Sequence, residues 1–554
     1  MQNCPCLGMG KISISLEMVK VNKKKRVLLL TAPYHAGVVE IAGKWIPLYL
    51  VYIAGTLREA GYDVTIYDAM TKDVGHAEIE AEVRRVKPHY VGLSSITCTL
   101  PDAVECVKRV KAIDPQIVTV MGGIHPTFMP EEVFELAPEL DYIIRGEAEK
   151  TLPEFFEALE AGRVGDELKE IRGIAYRDVG GKTVRTTDRP LMTSEELDNL
   201  PKAFDLLDWS EYPYYMVKDS TMGALDTSRG CTKDCSFCSQ RLFWKQSWRP
   251  RSPESLMRDI EEQMRHGATV FLLTDDYPTL DPERWETFLD LVIESGHDIY
   301  FLMETRAEDI IRDRDILHKY RQAGVIHIYV GTEATDEEKL ALYRKEMKPS
   351  EAGEAFALLD SHGIITETSM ILGTPDETQE SVKRTLELAI KNNPDFCHFL
   401  AISPWPYADL YGHLEPHVAV HDYRKYNLID PIVKPLAMTL EEVDRAIIDC
   451  YREFYMNKFK QIVNLEDEFK REYILESTRR IMQNSFIVNK LGSLEGSIPD
   501  EVKAEMAKIG VEEFGEDGKM KFITEDETKN GCPVSYVKRK MNKIKKVTGL
   551  SRAK

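Results

Sequence analysis

No run of apolar residues in this chain is long enough to cross a bilayer. The longest, residues 46–55, falls far short of the roughly 20 that a spanning helix needs. A secretory apolar region is also missing near Met1, so the expectation is a cytoplasmic protein without a membrane span. Positive charge is scarce. A net charge of −20 speaks against nucleic acid as a partner, because phosphate contacts need clustered Lys and Arg. The basic runs 23–26 and 538–554 read as solvated faces or a frayed end, with docking onto an acidic partner as the other reading. A disulfide framework is disfavoured too: 10 cysteines spread over 554 residues point to metal or redox chemistry instead. Cys98, Cys106, Cys397 and Cys450 sit in apolar or helical surroundings and read as buried and inert, whereas Cys4, Cys6 and Cys532 receive no role.

At this length more than one domain is expected. From 26 to 159, β-branched runs alternate with helical patterns: R-V-L-L-L-T, D-V-T-I-Y-D, H-Y-V-G-L-S-S, I-V-T-V-M-G-G and D-Y-I-I-R-G are strands. This is the pattern of an α/β unit, a Rossmann-like (flavodoxin-like) parallel sheet with helices on both faces. Such sheets bind ligands at the carboxyl ends of their strands. Those ends carry Tyr34, His35 and Gly37, then Ala69, then Ser94, Ser95 and Thr97, then Gly122, Gly123 and His125, then Gly146 and Glu147. No G-x-G-x-x-G follows the first strand, so a dinucleotide is not favoured. Residues 160–223 read as a connector rich in turns and charges.

One short stretch has three cysteines and lacks a fourth: S-R-G-C-T-K-D-C-S-F-C, with Cys231, Cys235 and Cys238. A structural zinc site wants four ligands, and iron–sulfur clusters normally take four cysteines. Three thiolates at C-x3-C-x2-C can hold three irons of a [4Fe-4S] cluster and leave the fourth open. An open iron can chelate the amino and carboxylate groups of S-adenosylmethionine, whose cleavage yields a 5′-deoxyadenosyl radical. A zinc knuckle with a remote fourth ligand is the competing reading. Downstream, V-F-L-L-T-D-D, I-Y-F-L-M-E-T-R, I-H-I-Y-V-G-T-E, T-E-T-S-M-I-L-G and F-C-H-F-L-A-I-S-P alternate with helices. With A-L-D-T-S-R-G before Cys231 they make a partial (β/α)6 barrel over 224–420, with polar residues at its strand ends. After 421 the pattern is helical and amphipathic, ending in the basic tail.

These motifs resemble the cobalamin-binding radical S-adenosylmethionine enzymes. The G-G-x-H turn and the R-G-E-x-E close of the first region resemble their cobalamin (vitamin B12) domain, and Phe237 matches the aromatic before the third cysteine. The resemblance implies cobalamin contacts from the strand-end residues above. It implies S-adenosylmethionine contacts from Phe237, Asp275, Asp276, Glu304, Arg306, Glu333 and Gly373, with Asp275–Asp276 where the family has a Gly-Gly-Glu turn. The histidine-ligated motif D-x-H-x-x-G is absent, so His35 stands either as the lower cobalt ligand or as pocket lining. Over roughly 26–460, P-Y-H-A-G-V-V-E-I-A-G-K-W, S-P-W-P-Y-A-D-L and K-Y-N-L-I-D-P-I-V-K-P are similar to anaerobic magnesium-protoporphyrin monomethyl ester cyclases. Two reactions follow from the resemblance. One is C-methylation of an unactivated carbon, as on a glutamine of methyl-coenzyme M reductase by family members in methanogens; the other is oxidative cyclisation of a tetrapyrrole. Either implies an external electron donor of ferredoxin or flavodoxin type. Trp405, Tyr407, Tyr423 and Tyr426 are expected to line the substrate site, with aromatic core packing as the alternative. A cobalamin carrier or light sensor is the non-enzymatic reading.

Overall fold

The computed structural model describes residues 25–34, 42–334, 336–462, 464–484, 511–514 and 520–522. The first sheet runs β2-β1-β3-β4-β5-β6-β7, from β1 (Arg26–Thr31), β2 (Asp63–Tyr67), β3 (Tyr90–Ser94), β4 (Val118–Gly122), β5 (Tyr142–Ile144), β6 (Ile174–Arg177) and β7 (Thr183–Arg185). Strands β1 to β5 are parallel. Their order, 2-1-3-4-5, is the flavodoxin-like one, with its crevice between β1 and β3. The near-continuous apolar run of β1 is explained by burial on both faces. Val27 and Leu29 pack with Leu50, Leu57 and Phe156 on one side, while Leu28 and Leu30 pack with Val83 and Val107 on the other. Where the sequence reads as connector, β6 and β7 extend this sheet as an antiparallel pair.

The second sheet holds β8 (Pro213–Tyr214), β9 (Ser220–Leu225), β12 (Ala268–Leu273), β13 (Tyr300–Thr305), β14 (Val325–Val330), β15 (Ile365–Leu372) and β16 (Phe396–Ala401). Between β9 and β12 a two-strand clip, β10 (Ser228–Arg229) with β11 (Arg249–Pro250), frames the cysteine loop. The order β16-β15-β14-β13-β12-β9-β8 is a curled half-barrel of six parallel strands with β8 antiparallel at its edge. Its first strand stops at Leu225, short of the A-L-D-T-S-R-G expectation. Asp226 and Arg229 are drawn instead into side-chain pairs with each other, and Thr227 and Ser228 turn to Asp275.

The outer face packs Trp285, Phe288, Tyr320 and Phe356 from the covering helices. Two further helices, Leu440–Ile462 and Glu468–Asn484, follow the barrel. Lys470, 2% exposed, pairs with Asp395 at 2.8 Å and so fastens the second of them near the foot of β16. A short hairpin, β17 (Val511–Phe514) with β18 (Met520–Phe522), lies beyond them. No helix among the described residues is long and apolar enough to cross a membrane.

Candidate functional site

The cysteine loop begins at a glycine for a steric reason. Gly230 has φ +94°, and a Cβ there would stand 2.2 Å from the Ser247 carbonyl oxygen. The loop is then pinned across the barrel mouth. Ser236 donates its N–H to Tyr343 O (2.9 Å) and its hydroxyl to Leu342 O (2.8 Å), and Leu410 N–H donates back to Ser236 O at 2.9 Å. Phe237 meets the Tyr343 ring edge-on at 5.4 Å. Cys235 is buried, and Cys231 and Cys238 are partly so. Burial pushes the Cys231 thiol up, and the Cys238 thiol up to about 12. Iron binding would remove those protons. Among the described residues no group of three or more His, Cys, Asp and Glu could hold a metal ion. A cluster differs from such a site in spreading its thiolates over separate irons. Three thiols on one pinned loop at the strand ends fit that donor set. Cys98, Cys106, Cys397 and Cys450 are buried, as expected of inert cysteines.

Asp276 links this loop to the first sheet. Its charge is felt at Cys231 and Cys238, and burial with Asp275 beside it pushes its own acid up to about 7. It lines a cavity of about 440 Å³ together with Ser94, Gly122, Gly123 and Gly146 from the first sheet. The same cavity runs along the sheet past Leu29, Gly92, Val120 and Ile144. Apolar Leu29, Val120 and Ile144 line it together with the glycines 122, 123 and 146, which let backbone come close to part of a large cofactor. Gly123 has φ +98°, and a Cβ there would lie 2.4 Å from Ser95 O, so only glycine lets this turn close on the cavity. Tyr49 and Ile96, 41% and 48% exposed, present apolar surface to the same space. Sequence reading missed both, and also Trp244; the one available signal was their position at strand and helix ends.

Other expected residues are engaged elsewhere. Glu147 touches the cavity, but its carboxylate accepts from Arg249 (2.8 Å), Arg229 (3.1 Å) and Met192 N–H (2.8 Å), tying the first sheet to the clip. Asp275 accepts from Thr227 and Ser228 (2.6 Å each) and is held by the protein's own hydroxyls. Ser95 bonds Ile96 O, and Ala69 is fully buried. His125 is buried against Thr97 (3.1 Å), whose hydroxyl also meets Tyr407 at 3.0 Å. Tyr34 lies beside Cys98 and Asn427. His35 and Gly37 lie outside the described residues. Arg306 pairs with Glu308 and donates to Glu346 O (2.8 Å). Gly373, φ +81°, donates its N–H to Glu377 at 3.1 Å. Glu333 pairs with Lys345 at 3.3 Å from a left-handed backbone, φ +66°, a strained conformation of the kind found at functional sites. Tyr423 donates to Glu132 at 2.6 Å, Tyr426 is buried in core, and Trp405 packs against that core. None of the four aromatic substrate candidates lines either cavity described here.

The second cavity, about 570 Å³, is the lumen of the half-barrel. Side chains alternate along a strand, so His327 and Tyr329 of β14 face inward with Glu304, Glu367, Ser369 and His398 from the neighbouring strands. Glu304 opens onto this cavity, and desolvation with the Asp276 and Glu333 charges pushes its acid up to about 8.

Two family profiles match the chain: "B12 binding domain" over residues 34–156 and "Radical SAM superfamily" over 225–389. The anaerobic magnesium-protoporphyrin IX monomethyl ester cyclase of Rubrivivax gelatinosus is 36% identical over 464 residues, 83% of each chain. The chain belongs to the cobalamin-binding radical S-adenosylmethionine enzymes. An uncharacterized methyltransferase of Pyrococcus horikoshii is 29% identical, over 78% of this chain and 93% of its own. The fold is shared with the cobalamin-dependent S-adenosylmethionine radical enzyme OxsB (TM-score 0.64, 16% identity, 96% of this chain and 82% of that one). This radical enzyme therefore uses cobalamin, S-adenosylmethionine and a [4Fe-4S] cluster. Its two sheets are the two cofactor domains of the family.

Proposed function

We propose that the protein is a cobalamin-dependent radical C-methyltransferase acting on an unactivated sp3 carbon, with a peptidyl residue such as a glutamine of methyl-coenzyme M reductase as substrate. One observation carries the two-cofactor reading. A single cavity joins the strand ends Ser94, Gly122, Gly123 and Gly146 to Asp276 beside the cysteine loop. Bound there, the cofactors supply a radical that takes a hydrogen atom and a methyl group that replaces it. The chain's part is to hold and to position. Cys231, Cys235 and Cys238 would hold the cluster, and Asp276, which lines the cavity with its acid raised, would be the partner for the methionine amino group. Ser94 and the glycines 122, 123 and 146 let backbone and hydroxyl approach the corrin. Electrons come from a ferredoxin- or flavodoxin-type donor.

Oxidative cyclisation of magnesium-protoporphyrin IX monomethyl ester is the second reading, favoured by the 36% identity to the Rubrivivax cyclase. Anaerobic incubation of the reconstituted enzyme with methyl-labelled S-adenosylmethionine, methylcobalamin, reductant and either methyl-coenzyme M reductase or the porphyrin separates them. Label in a tryptic peptide supports methylation. Ring closure of the porphyrin with no labelled protein overturns it.

A further inference from the structure

Three neighbouring strands carry a side-chain cluster that no cofactor role uses. Glu367 on β15 stands between two imidazoles, 2.8 Å from His327 Nε2 on β14 and 2.5 Å from His398 Nε2 on β16. The pairing explains itself through register. Glu367 lies level with Tyr329 and Phe396, so His327 is one inward position below it and His398, level with Ser369, one above. The carboxylate is held well below its usual range by these two rings, although burial opposes this. Behind it, His327 Nδ1 lies 2.9 Å from the Tyr473 hydroxyl on the helix after the barrel, and that hydroxyl meets Tyr214. The cluster is therefore braced at its back and open on one side. The His398 Nδ1 makes no hydrogen bond among the described residues, and Glu304 across the lumen makes neither hydrogen bond nor ion pair there.

The charge inventory of the lumen is narrow. Among the described residues its ionisable lining, tyrosines aside, is Glu304, His327, Glu367 and His398, with no Lys or Arg. An anionic substrate group would lose its water and find no fixed cation, a cost that makes burial of unpaired charge unfavourable. A cationic group would have to displace an imidazole to pair with Glu367, since the two rings occupy both carboxylate oxygens. Glu304 faces the same space with its acid pushed up to about 8. What remains for a substrate is the free edge of the His398 ring and the Ser369 and Asn427 side chains, between apolar walls of Leu272, Leu302, Phe396 and Leu400.

We propose that the lumen takes the substrate and that Glu367, gripped by His327 and His398, presents the His398 ring to an uncharged hydrogen-bonding group, a carboxamide or peptide amide, on an inserted chain. The assignment rests on the methyltransferase reading but is tested without turnover. Reconstituted full-length holoenzyme is titrated calorimetrically with N-acetyl-glutamine N-methylamide and with N-acetyl-glutamate N-methylamide. The amide should bind at least about tenfold more tightly than the acid, and Glu367→Gln should erase that preference. Because Glu367→Gln removes a charge from a braced cluster, His398→Gln serves as a second variant and should erase it too. Equal or tighter binding of the acid, no saturable binding of either probe up to about 10 mM, or both variants keeping the preference each overturns the proposal. If the amide preference holds while no label reaches protein in the assay above, the reaction assignment fails and the lumen assignment stands.

Discussion

Replacing Gly230 by alanine should cost the enzyme its cluster geometry far more than its fold. Two penalties act at this position. A non-glycine residue held at positive φ costs about 1–2 kcal/mol, and Gly230 has φ +94°. The added Cβ would then lie 2.2 Å from Ser247 O and 3.0 Å from Trp244 Cβ. Ordinary van der Waals contact needs about 1 Å more, and a misplacement of that size can cost about 100-fold in rate. Ser247 cannot easily yield, because its N–H and hydroxyl both bond Trp244 O, at 3.0 and 2.6 Å. The strain therefore passes to Cys231, the next residue. Gly267 provides the control: φ is +100°, but nothing lies within 4 Å of its built Cβ. Gly267→Ala should lower the melting temperature and leave the iron alone. The assay is iron and sulfide per chain after anaerobic reconstitution, with the initial rate of 5′-deoxyadenosine formation. Wild-type iron content and rate in Gly230→Ala would refute the reasoning, as would equal damage in Gly267→Ala.

Glu147→Gln should destabilise the protein by about 3–5 kcal/mol, since it leaves Arg229 and Arg249 with less buried counter-charge. A denaturant midpoint within error of wild type would show that the joint is not ionic. Asp395→Asn should act similarly, since Lys458 (3.6 Å) loses its carboxylate partner and Lys470 (2.8 Å) is left with Asp360; hydrogen exchange would show the helix Glu468–Asn484 opening first. Glu304 has its folded-state acid raised from 4.5 to about 8, so the native state binds the extra proton between those values. Stability of the cluster-free protein should fall as pH rises through that window and level off above it. Glu304→Gln should flatten the fall, and melts at pH 5 and 8 that keep the wild-type slope would exclude Glu304 as its source.

Much of the site was legible because its chemistry is local in the chain. C-x3-C-x2-C keeps three thiolates on one loop whatever surrounds them, and the loop is pinned where the barrel strands end. Ser94, Gly122, Gly123 and Gly146 could be placed because they end apolar runs that can only be buried strands. Glu147 and Asp275 looked like ligand residues for the same reason. Their partners, Arg249 and Thr227, lie 102 and 48 positions away, and no pattern in the chain announces such pairings. His327, Glu367 and His398 had a faint signal: His and Tyr at alternate places in H-I-Y, Glu and Ser in E-T-S, and a lone His in the apolar run F-C-H-F-L. Alternation says that they share a face, but only strand register says that they touch.

The sequence by itself therefore determined the cofactor chemistry, the two parallel sheets and the ends at which they work. Backbone hydrogen bonding, burial and ligand spacing are all encoded within a few residues of each motif. The tertiary structure alone decided which carboxylates remain open to a ligand and which are spent on arginines and hydroxyls. It also decided that Asp276 shares a cavity with Ser94, Gly122, Gly123 and Gly146 of the first sheet, and that three separate strands set an imidazole–carboxylate–imidazole cluster in the lumen. Those outcomes depend on contacts between residues far apart in the chain, fixed by how the sheets curl and meet.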